Sequence, residues 1–227
     1  MNQKEWEQLN SEERHHTKYP AEEVVRFLKG KIPKGGRVFD AGCGAGRHVK
    51  LMADEDYIPY GIDYSQSGVD KTKERLIISG NGKYCENIMK GSLEKLPFSE
   101  NFFDGVISYG VLYYMEKSQI NKAINEMLRV LKPGGKILLH IRTLGDYRFD
   151  RLNITENDEH GCVIVENSSS RSAVKEQGMF MHFFDKDEVL ALMRGFDDVV
   201  IDTEYRGHDG DAFADENYIV SARKSCN

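Results

Sequence analysis

Seven residues near the start of the chain, Asp40-Ala41-Gly42-Cys43-Gly44-Ala45-Gly46, set an acid before three alternating glycines. Glycine lets a backbone approach a ligand where a Cβ would collide. Val38-Phe39-Asp40 reads as the end of a strand, and Arg47-His48-Val49-Lys50-Leu51-Met52 reads as the helix behind the loop. The first N–H groups of a helix lack intrahelical partners and point back at such a loop. The chemistry this arrangement supports is the holding of a nucleotide-type ligand at the carboxyl end of a sheet strand.

Spacing separates the ligands. A dinucleotide fingerprint, G-x-G-x-x-G begun at Gly42 and Gly44, needs a glycine where this chain has Arg47, and the third glycine is Gly46 instead. Asp40 precedes the glycines, where a diphosphate gains nothing from a carboxylate but a cationic amino group or sulfonium does. A second acid, Asp63, ends the next apolar run 23 positions after Asp40, placed to accept from both hydroxyls of a ribose. A ligand with an adenosine-like ribose, a cationic amino-acid portion and no phosphate matches these positions. S-adenosylmethionine fits that description.

Those residues need elements to hold them. AEEVVRFLKG after Pro20 predicts a helix, with Val24, Val25, Phe27 and Leu28 on one face and Gly30 as its stop. YIPYGID reads as a strand ending at Asp63. The spacing of Val69, Thr72, Leu76 and Ile77 predicts a helix from Ser65 to about Ile78. KYCENIMKG is a weaker strand, and FFDGVISYG a stronger one ended by Gly110. Ser118 is expected to cap a helix through Leu131 that Lys132-Pro133-Gly134-Gly135 stops, and KILLHI is the next strand. From Arg142 to about Phe184 the pattern turns polar and irregular, apart from CVIV and MFMHFF. Asp185 with Glu188 then opens a short helix, and DDVVIDTEY and ENYIVSARK form a final hairpin. Apolar strands alternating with helices predict an α/β fold, a doubly wound parallel sheet with helices on both faces.

VFDAGCGAGRHV, GIDYS, GSLEKLPFSENFFDGVIS and LRVLKPGGKILL, in that order, resemble the class I S-adenosylmethionine-dependent methyltransferases, over about residues 35 to 142. The resemblance implies a mostly parallel, seven-stranded sheet with the last strand antiparallel. It implies S-adenosylmethionine as cofactor, with S-adenosylhomocysteine as product. The loop carrying Asp40, Gly42, Gly44 and Gly46 would lie against the methionine portion, and Asp63 with Tyr64 would meet the ribose. Ser92 and Leu93 would flank the adenine, while Ser108 and Tyr109 would face the methyl-transfer zone. Many relatives have an acid where Ser92 stands. By the same likeness, residues 1–30, with Trp6, His15, His16 and Tyr19, are expected as a helical lid, and residues 142–184 as an inserted substrate-pocket segment of a single domain.

The remaining features set expectations for the acceptor. In 227 residues, 31 basic and 37 acidic side chains give a net charge of −6, which argues against holding nucleic acid by bulk charge. No Pro-Pro-Tyr/Phe and no Pro-Cys follow the fourth strand, where the chain reads Ser108-Tyr109-Gly110-Val111; base amino-group and cytosine C5 chemistry are therefore disfavoured. A small-molecule acceptor is the leading expectation, with nucleic acid unlikely. The alternatives are a protein or RNA methyltransferase working with a partner, a nicotinamide-dependent dehydrogenase, and a non-catalytic cofactor-binding protein. His140, His182 and Tyr113 are the weak candidates for catalysis. Cys43, Cys85, Cys162 and Cys226 are scattered and expected as free thiols, and neither cysteine nor histidine spacing indicates a metal. The opening residues show no secretory signal and no run long enough to cross a membrane, so a cytoplasmic location is expected.

Overall fold

The computed structural model describes residue 7 and residues 17–149, 154–156, 158–164, 176 and 178–226. The main sheet contains β1 (Arg37–Ala41), β2 (Ile58–Asp63), β3 (Ile88–Lys90), β4 (Phe103–Tyr109), β5 (Leu131–Arg142), β9 (Phe196–His208) and β10 (Phe213–Lys224). Its spatial order is β3-β2-β1-β4-β5-β10-β9. The first five strands are parallel, and β10 runs antiparallel to both of its neighbours. The expected doubly wound α/β architecture is therefore present, antiparallel last strand included. Strand order reverses between β1 and β4, and such a switch point opens a crevice at the carboxyl ends of the strands.

Among the described residues the sheet is flanked by α1 (Glu22–Lys31), α2 (Arg47–Asp54), α3 (Gln66–Ile78), α4 (Lys117–Val130) and α5 (Lys186–Leu192). The sheet's two faces bury separate apolar clusters. On one, Val24, Phe27 and Leu28 of α1 pack with Val38, Ile107 and Leu138. On the other, Ile120, Ile124 and Met127 of α4 pack with Phe39, Val106 and Ile137. This is why the strands read as apolar runs and not as alternation: successive side chains point to opposite faces, and both faces are dry.

Three local expectations are corrected. Residues of KYCENIMKG form a 3-10 turn over Gly82–Asn87, and only Ile88–Lys90 pair, as a short edge strand. Helix α4 starts at Lys117, not after Ser118. Glu116 is its cap, and the Glu116 N–H donates to Gln119 Oε1 at 3.2 Å, a reciprocal arrangement that a lone serine does not supply. Lys132 to Gly135 do not form a separate turn: α4 ends at Val130 and these residues already belong to β5, with a register shift against β4 between Phe103 and Gly105.

Residues 142–184 are more regular than their composition suggests. β6 (Ile154–Thr155), β7 (Asp158–Val163) and β8 (Phe180–His182) form an antiparallel sheet of their own. Cys162, Met181, Phe183 and Phe184 sink into the same cluster as α4. An ion-pair knot fastens this insertion to β5. Arg142 Nη2 donates to Glu176 Oε1 at 2.8 Å, Arg148 Nε to Glu176 Oε2 at 2.6 Å, and Tyr114 Oη to Glu176 Oε1 at 2.7 Å. Arg148 also reaches Asp146 at 3.0 Å and Asp215 at 2.7 Å.

Trp6, His15 and His16 of the expected lid lie outside the described residues. Glu7 is described: its carboxylate accepts from the N–H groups of Gln66 and Ser67, each at 2.9 Å, at the start of α3. Among the described residues no helix is long and apolar enough to cross a membrane. The four cysteines are free thiols.

The knot yields a stability prediction. Glu176→Ala should destabilise the fold by about 3 kcal/mol, because it leaves two buried guanidiniums without their shared carboxylate. The denaturant midpoint of purified variant against parent measures this, and an unchanged midpoint would show that the insertion does not need the knot.

Candidate active site

The glycine loop is wired into the switch point by the residues around it. Gly42 and Cys43 donate their N–H groups to the Ile62 carbonyl at 2.8 and 3.0 Å. Gly44 N–H donates to Asp63 Oδ2 at 2.8 Å, and Thr72 Oγ1 donates to the Gly44 carbonyl at 2.7 Å. Asp63 uses its other oxygen on Ser65, whose N–H and hydroxyl donate to Oδ1 at 2.9 and 2.8 Å. Ser65 in turn caps α3 by accepting from Gly68 N–H at 3.1 Å. One carboxylate thus sets the loop and the helix that follows the second strand.

The three glycines do different work. A Cβ on Gly42 would stand 2.5 Å from Val111 Cγ2, and one on Gly46 would stand 2.6 Å from Thr72 Oγ1. Both also have left-handed backbone, with φ of +86° and +78°. These two are glycine because protein crowds them. Gly44, with φ of +51°, has nothing within 4 Å of a built Cβ. It faces open space, and a side chain there would fill the cradle.

That space is a cavity of about 400 Å³ at the ends of β1, β2, β3 and β4, a volume suited to a nucleoside-sized ligand. Gly42, Gly44, Asp63, Tyr64, Ser92 and Leu93 line it, so six of the nine expected cofactor residues meet there. Tyr114, one of the two tyrosines after the fourth strand, lines it too, while the sequence reading missed Glu94, Met115 and Gln119. Glu94 was two residues from the position examined for an acid. The Ser92 hydroxyl is engaged locally, accepting from Glu94 N–H at 3.2 Å, while Glu94 accepts from Gln119 Nε2 at 2.8 Å.

Asp40, Gly46 and Ser108 stand behind the cavity wall rather than on its lining. Gly46 supports the loop. Asp40 is 2% exposed, and its Oδ2 has no hydrogen-bond partner. The nearest ring nitrogen, His48 Nδ1, is 3.8 Å away. Burial raises the Asp40 carboxyl to about 7, against the opposing pull of Arg47. Burial likewise pushes the His48 imidazole down to about 3, so it is neutral. An unpartnered buried carboxylate beside a glycine cradle fits a cationic amino group; phosphate there would be repelled.

Two further buried polar atoms lack partners, Ser108 Oγ and His140 Nδ1. Asp40, Ser108 and His140 lie near the carboxyl ends of three adjacent strands, β1, β4 and β5. His140 stacks on Tyr109, with ring centroids 4.0 Å apart, and its Nε2 meets Glu204 Oε2 at 3.1 Å. His140, Tyr109, Tyr113, Arg142 and Arg206 border a second, polar cavity of about 200 Å³. Tyr109 lines both cavities. Of the three catalytic candidates, His140 and Tyr113 therefore lie beside the site. His182 does not. It is fully buried between Asp158 and Glu188, in the insertion, and lines neither cavity. Its apolar neighbours Phe183 and Phe184 are core, not the wall of a pocket.

A third, shallower groove of about 600 Å³ lies on the outer side of the glycine loop. Lys18, Arg47, Lys50, Lys71 and Arg75 line it, against two acids, Asp54 and Glu74. Arg47 links it to the site, because its guanidinium lies 5.3 Å from the Tyr109 ring centroid.

Comparison with known proteins agrees with this geometry and corrects the acceptor. Residues 39–139 match the family model described as a methyltransferase domain. The chain is 32% identical over 119 residues to a human protein named probable tRNA methyltransferase 9B, covering 52% of this chain and 24% of that protein. It is 33% identical over 119 residues to the tRNA (carboxymethyluridine(34)-5-O)-methyltransferase of Arabidopsis thaliana, covering 52% and 26%. The chain thus spans about a quarter of the length of these relatives. Among solved structures, a Methanosarcina mazei S-adenosylmethionine-dependent methyltransferase superposes with a TM-score of 0.72 at 17% identity, covering 88% of this chain and 98% of that one. A phosphoethanolamine N-methyltransferase of Haemonchus contortus, solved with S-adenosylmethionine, gives 0.63 at 16%, covering 89% and 52%.

The tRNA-named relatives overturn the expectation of a small-molecule acceptor with nucleic acid unlikely. The expectation rested on net charge, which is a sum over the whole surface; the cations of this chain gather locally, in the groove beside the glycine loop. The matched domain runs from Phe39 in β1 to Leu139 in β5 and carries the loop, Asp63 and the switch point between them: residues 39–139 are a methyltransferase domain, similar in sequence and fold to the class I S-adenosylmethionine-dependent methyltransferases.

Proposed function

We propose that the chain methylates RNA, with tRNA as the acceptor to test first. The similarity to tRNA methyltransferases carries this reading. The basic groove supports it, since clustered lysines and arginines neutralise phosphates and supply most of the affinity of such contacts. Lys50 and Lys71 have carboxylate partners in Asp54 and Glu74, whereas Arg47 and Arg75 donate to the backbone carbonyls of Tyr19 and Thr17 at 3.3 and 3.4 Å. Among the described residues neither guanidinium has a carboxylate within salt-bridge distance. They also sit close enough that burial and the charge of Arg47 together lower the Arg75 pKa.

S-adenosylmethionine supplies a methyl group on a sulfonium, with a neutral leaving group. The protein's part is to hold, align and dry the reactants, and alignment alone contributes several kcal/mol. Asp63 and the Gly44 backbone would hold the nucleoside end, and the buried Asp40 carboxylate behind the cavity wall would attract the amino end. Tyr109, shared by both cavities, marks the boundary where acceptor meets donor. His140, oriented by Glu204 with Nδ1 unpartnered, is the group able to accept a proton from an oxygen acceptor.

Three measurements test this. With methyl-labelled S-adenosylmethionine, purified chain should label bulk tRNA and leave DNA unlabelled. Asp63→Ala should abolish labelling, and His140→Asn should lower the rate about 100-fold while leaving cofactor affinity within about twofold. Labelling of no RNA, by protein that binds the cofactor, would sink the acceptor assignment.

The pH dependence of cofactor binding follows from Asp40. Its carboxyl, raised by burial to about 7, is protonated in the free protein below that pH. An ammonium group binds the ionised form. Affinity for S-adenosylhomocysteine should therefore fall as pH drops below about 7, by up to about tenfold per pH unit, and level off above it. Calorimetric titration across that range should show the slope in the parent and a flat profile in Asp40→Asn.

Charge reversal in the groove separates the acceptor from the cofactor. Lys71→Glu combined with Arg75→Glu should weaken RNA binding at least about tenfold and flatten its salt dependence, with S-adenosylhomocysteine affinity unchanged. An unchanged salt slope would mean that the RNA lies elsewhere.

A further inference from the structure

The insertion that sequence reading left without a metal brings together a donor set of another kind. His160 on β7, His182 on β8 and Glu188 on α5 each present one ligand atom, and these atoms lie within 4.8 Å of one another. His160 Nδ1 and His182 Nε2 both stand 3.0 Å from the same oxygen, Glu188 Oε2. Ligands on a tetrahedral zinc ion at about 2.0–2.1 Å lie roughly 3.3 Å apart. A small outward shift of three side chains would admit an ion at their centre.

The surroundings are those of a coordination site. A ligating histidine characteristically directs its other ring nitrogen at a carboxylate, which fixes the ring. Here His182 Nδ1 faces Asp158 Oδ2 at 2.6 Å, and His160 Nε2 faces Asp185 Oδ2 at 3.7 Å. Both rings therefore have a second carboxylate behind them. Asp185 is itself fixed, because its Oδ1 caps α5 by accepting from Glu188 N–H at 2.8 Å. Lys117 meets the other carboxylate oxygen of Glu188, Oε1, at 3.4 Å, which leaves Oε2 turned toward the two imidazoles. Asp158 and Glu188 are buried and Asp185 and Lys117 about half exposed, and these three carboxylates with the one ammonium carry a formal charge of −2 around the two imidazoles. A divalent ion cancels it. Two imidazoles and one carboxylate select a first-row transition ion over magnesium or calcium, which prefer all-oxygen shells.

We propose that His160, His182 and Glu188 bind one zinc ion, with Asp158 and Asp185 holding the two rings. The three ligands come from two of the three strands of the small sheet and from α5, so the ion clasps the insertion to the C-terminal part of the fold. A cavity of about 380 Å³ bordered by Asp158, Thr155 and Lys117 lies beside the cluster. The site is separate from the cofactor cavity, and it stands whether or not the acceptor is RNA.

The test uses the untagged full chain, stripped with a chelator and dialysed. Titration with zinc chloride should show one ion per chain, confirmed by elemental analysis after gel filtration, and zinc should raise the melting temperature. Cobalt substituted for zinc should give the visible absorption of a tetrahedral site. The double variant His160→Asn with Glu188→Gln should bind zinc at least about 100-fold more weakly while retaining the parent's far-ultraviolet circular dichroism and its affinity for S-adenosylhomocysteine. Asp158→Asn, which disturbs only the shell behind His182, should weaken zinc about tenfold. Folded parent protein that takes up no stoichiometric zinc overturns the assignment. So does a double variant that folds and binds zinc as the parent does.

Discussion

The carboxylate of Asp63 sets the geometry on which the site depends. One oxygen takes the Gly44 N–H and the other takes both donors of Ser65, so the loop after the first strand and the helix after the second are referenced to a single group. Gly42 and Gly46 then have no freedom to shift, because Val111 and Thr72 press against them. The result is a loop bound on both sides with one face, at Gly44, left open. Rigidity at two glycines and vacancy at the third are complementary requirements of a cradle.

Behind this loop the sheet carries an electrostatic cost. Asp40, Ser108 and His140 each bury a polar atom without a partner, and such atoms are costly to leave unpaired. They occur at the carboxyl ends of neighbouring strands and nowhere else among the described residues. That distribution is what a site awaiting polar ligands looks like, and it agrees with the family's cofactor. The same ends of the same strands would be apolar in a sheet that served only as architecture.

Much of this was legible in the sequence, for identifiable reasons. The strand, glycine loop and helix from Val38 to Asp54 are dictated by local rules, and Asp40 and Asp63 stand near the carboxyl ends of the adjacent strands β1 and β2. Tertiary competition accounts for the misses. Ser118 is a sound cap by type, but Glu116 and Gln119 form a better one a residue or two earlier. Glu94 went unnoticed because only position 92 was examined for an acid. The insertion's sheet could not be read because its strands are short and its anchor, Glu176, is isolated in a polar run. His160, His182 and Glu188 are spaced as no familiar motif; only the folding of β7 against β8 brings them together. Net charge misled about the acceptor because a sum carries no information about position.

Glu7 adds a final link. Its carboxylate covers the N–H groups of Gln66 and Ser67, while Ser65, the next residue back, is held by Asp63. Glu7 and Asp63 thus both hold the first turn of α3. Loss of the Glu7 carboxylate would leave two donors, three and four residues after Asp63, without that acceptor. The acid that sets the glycine loop is thus steadied in part by a carboxylate far from it along the chain.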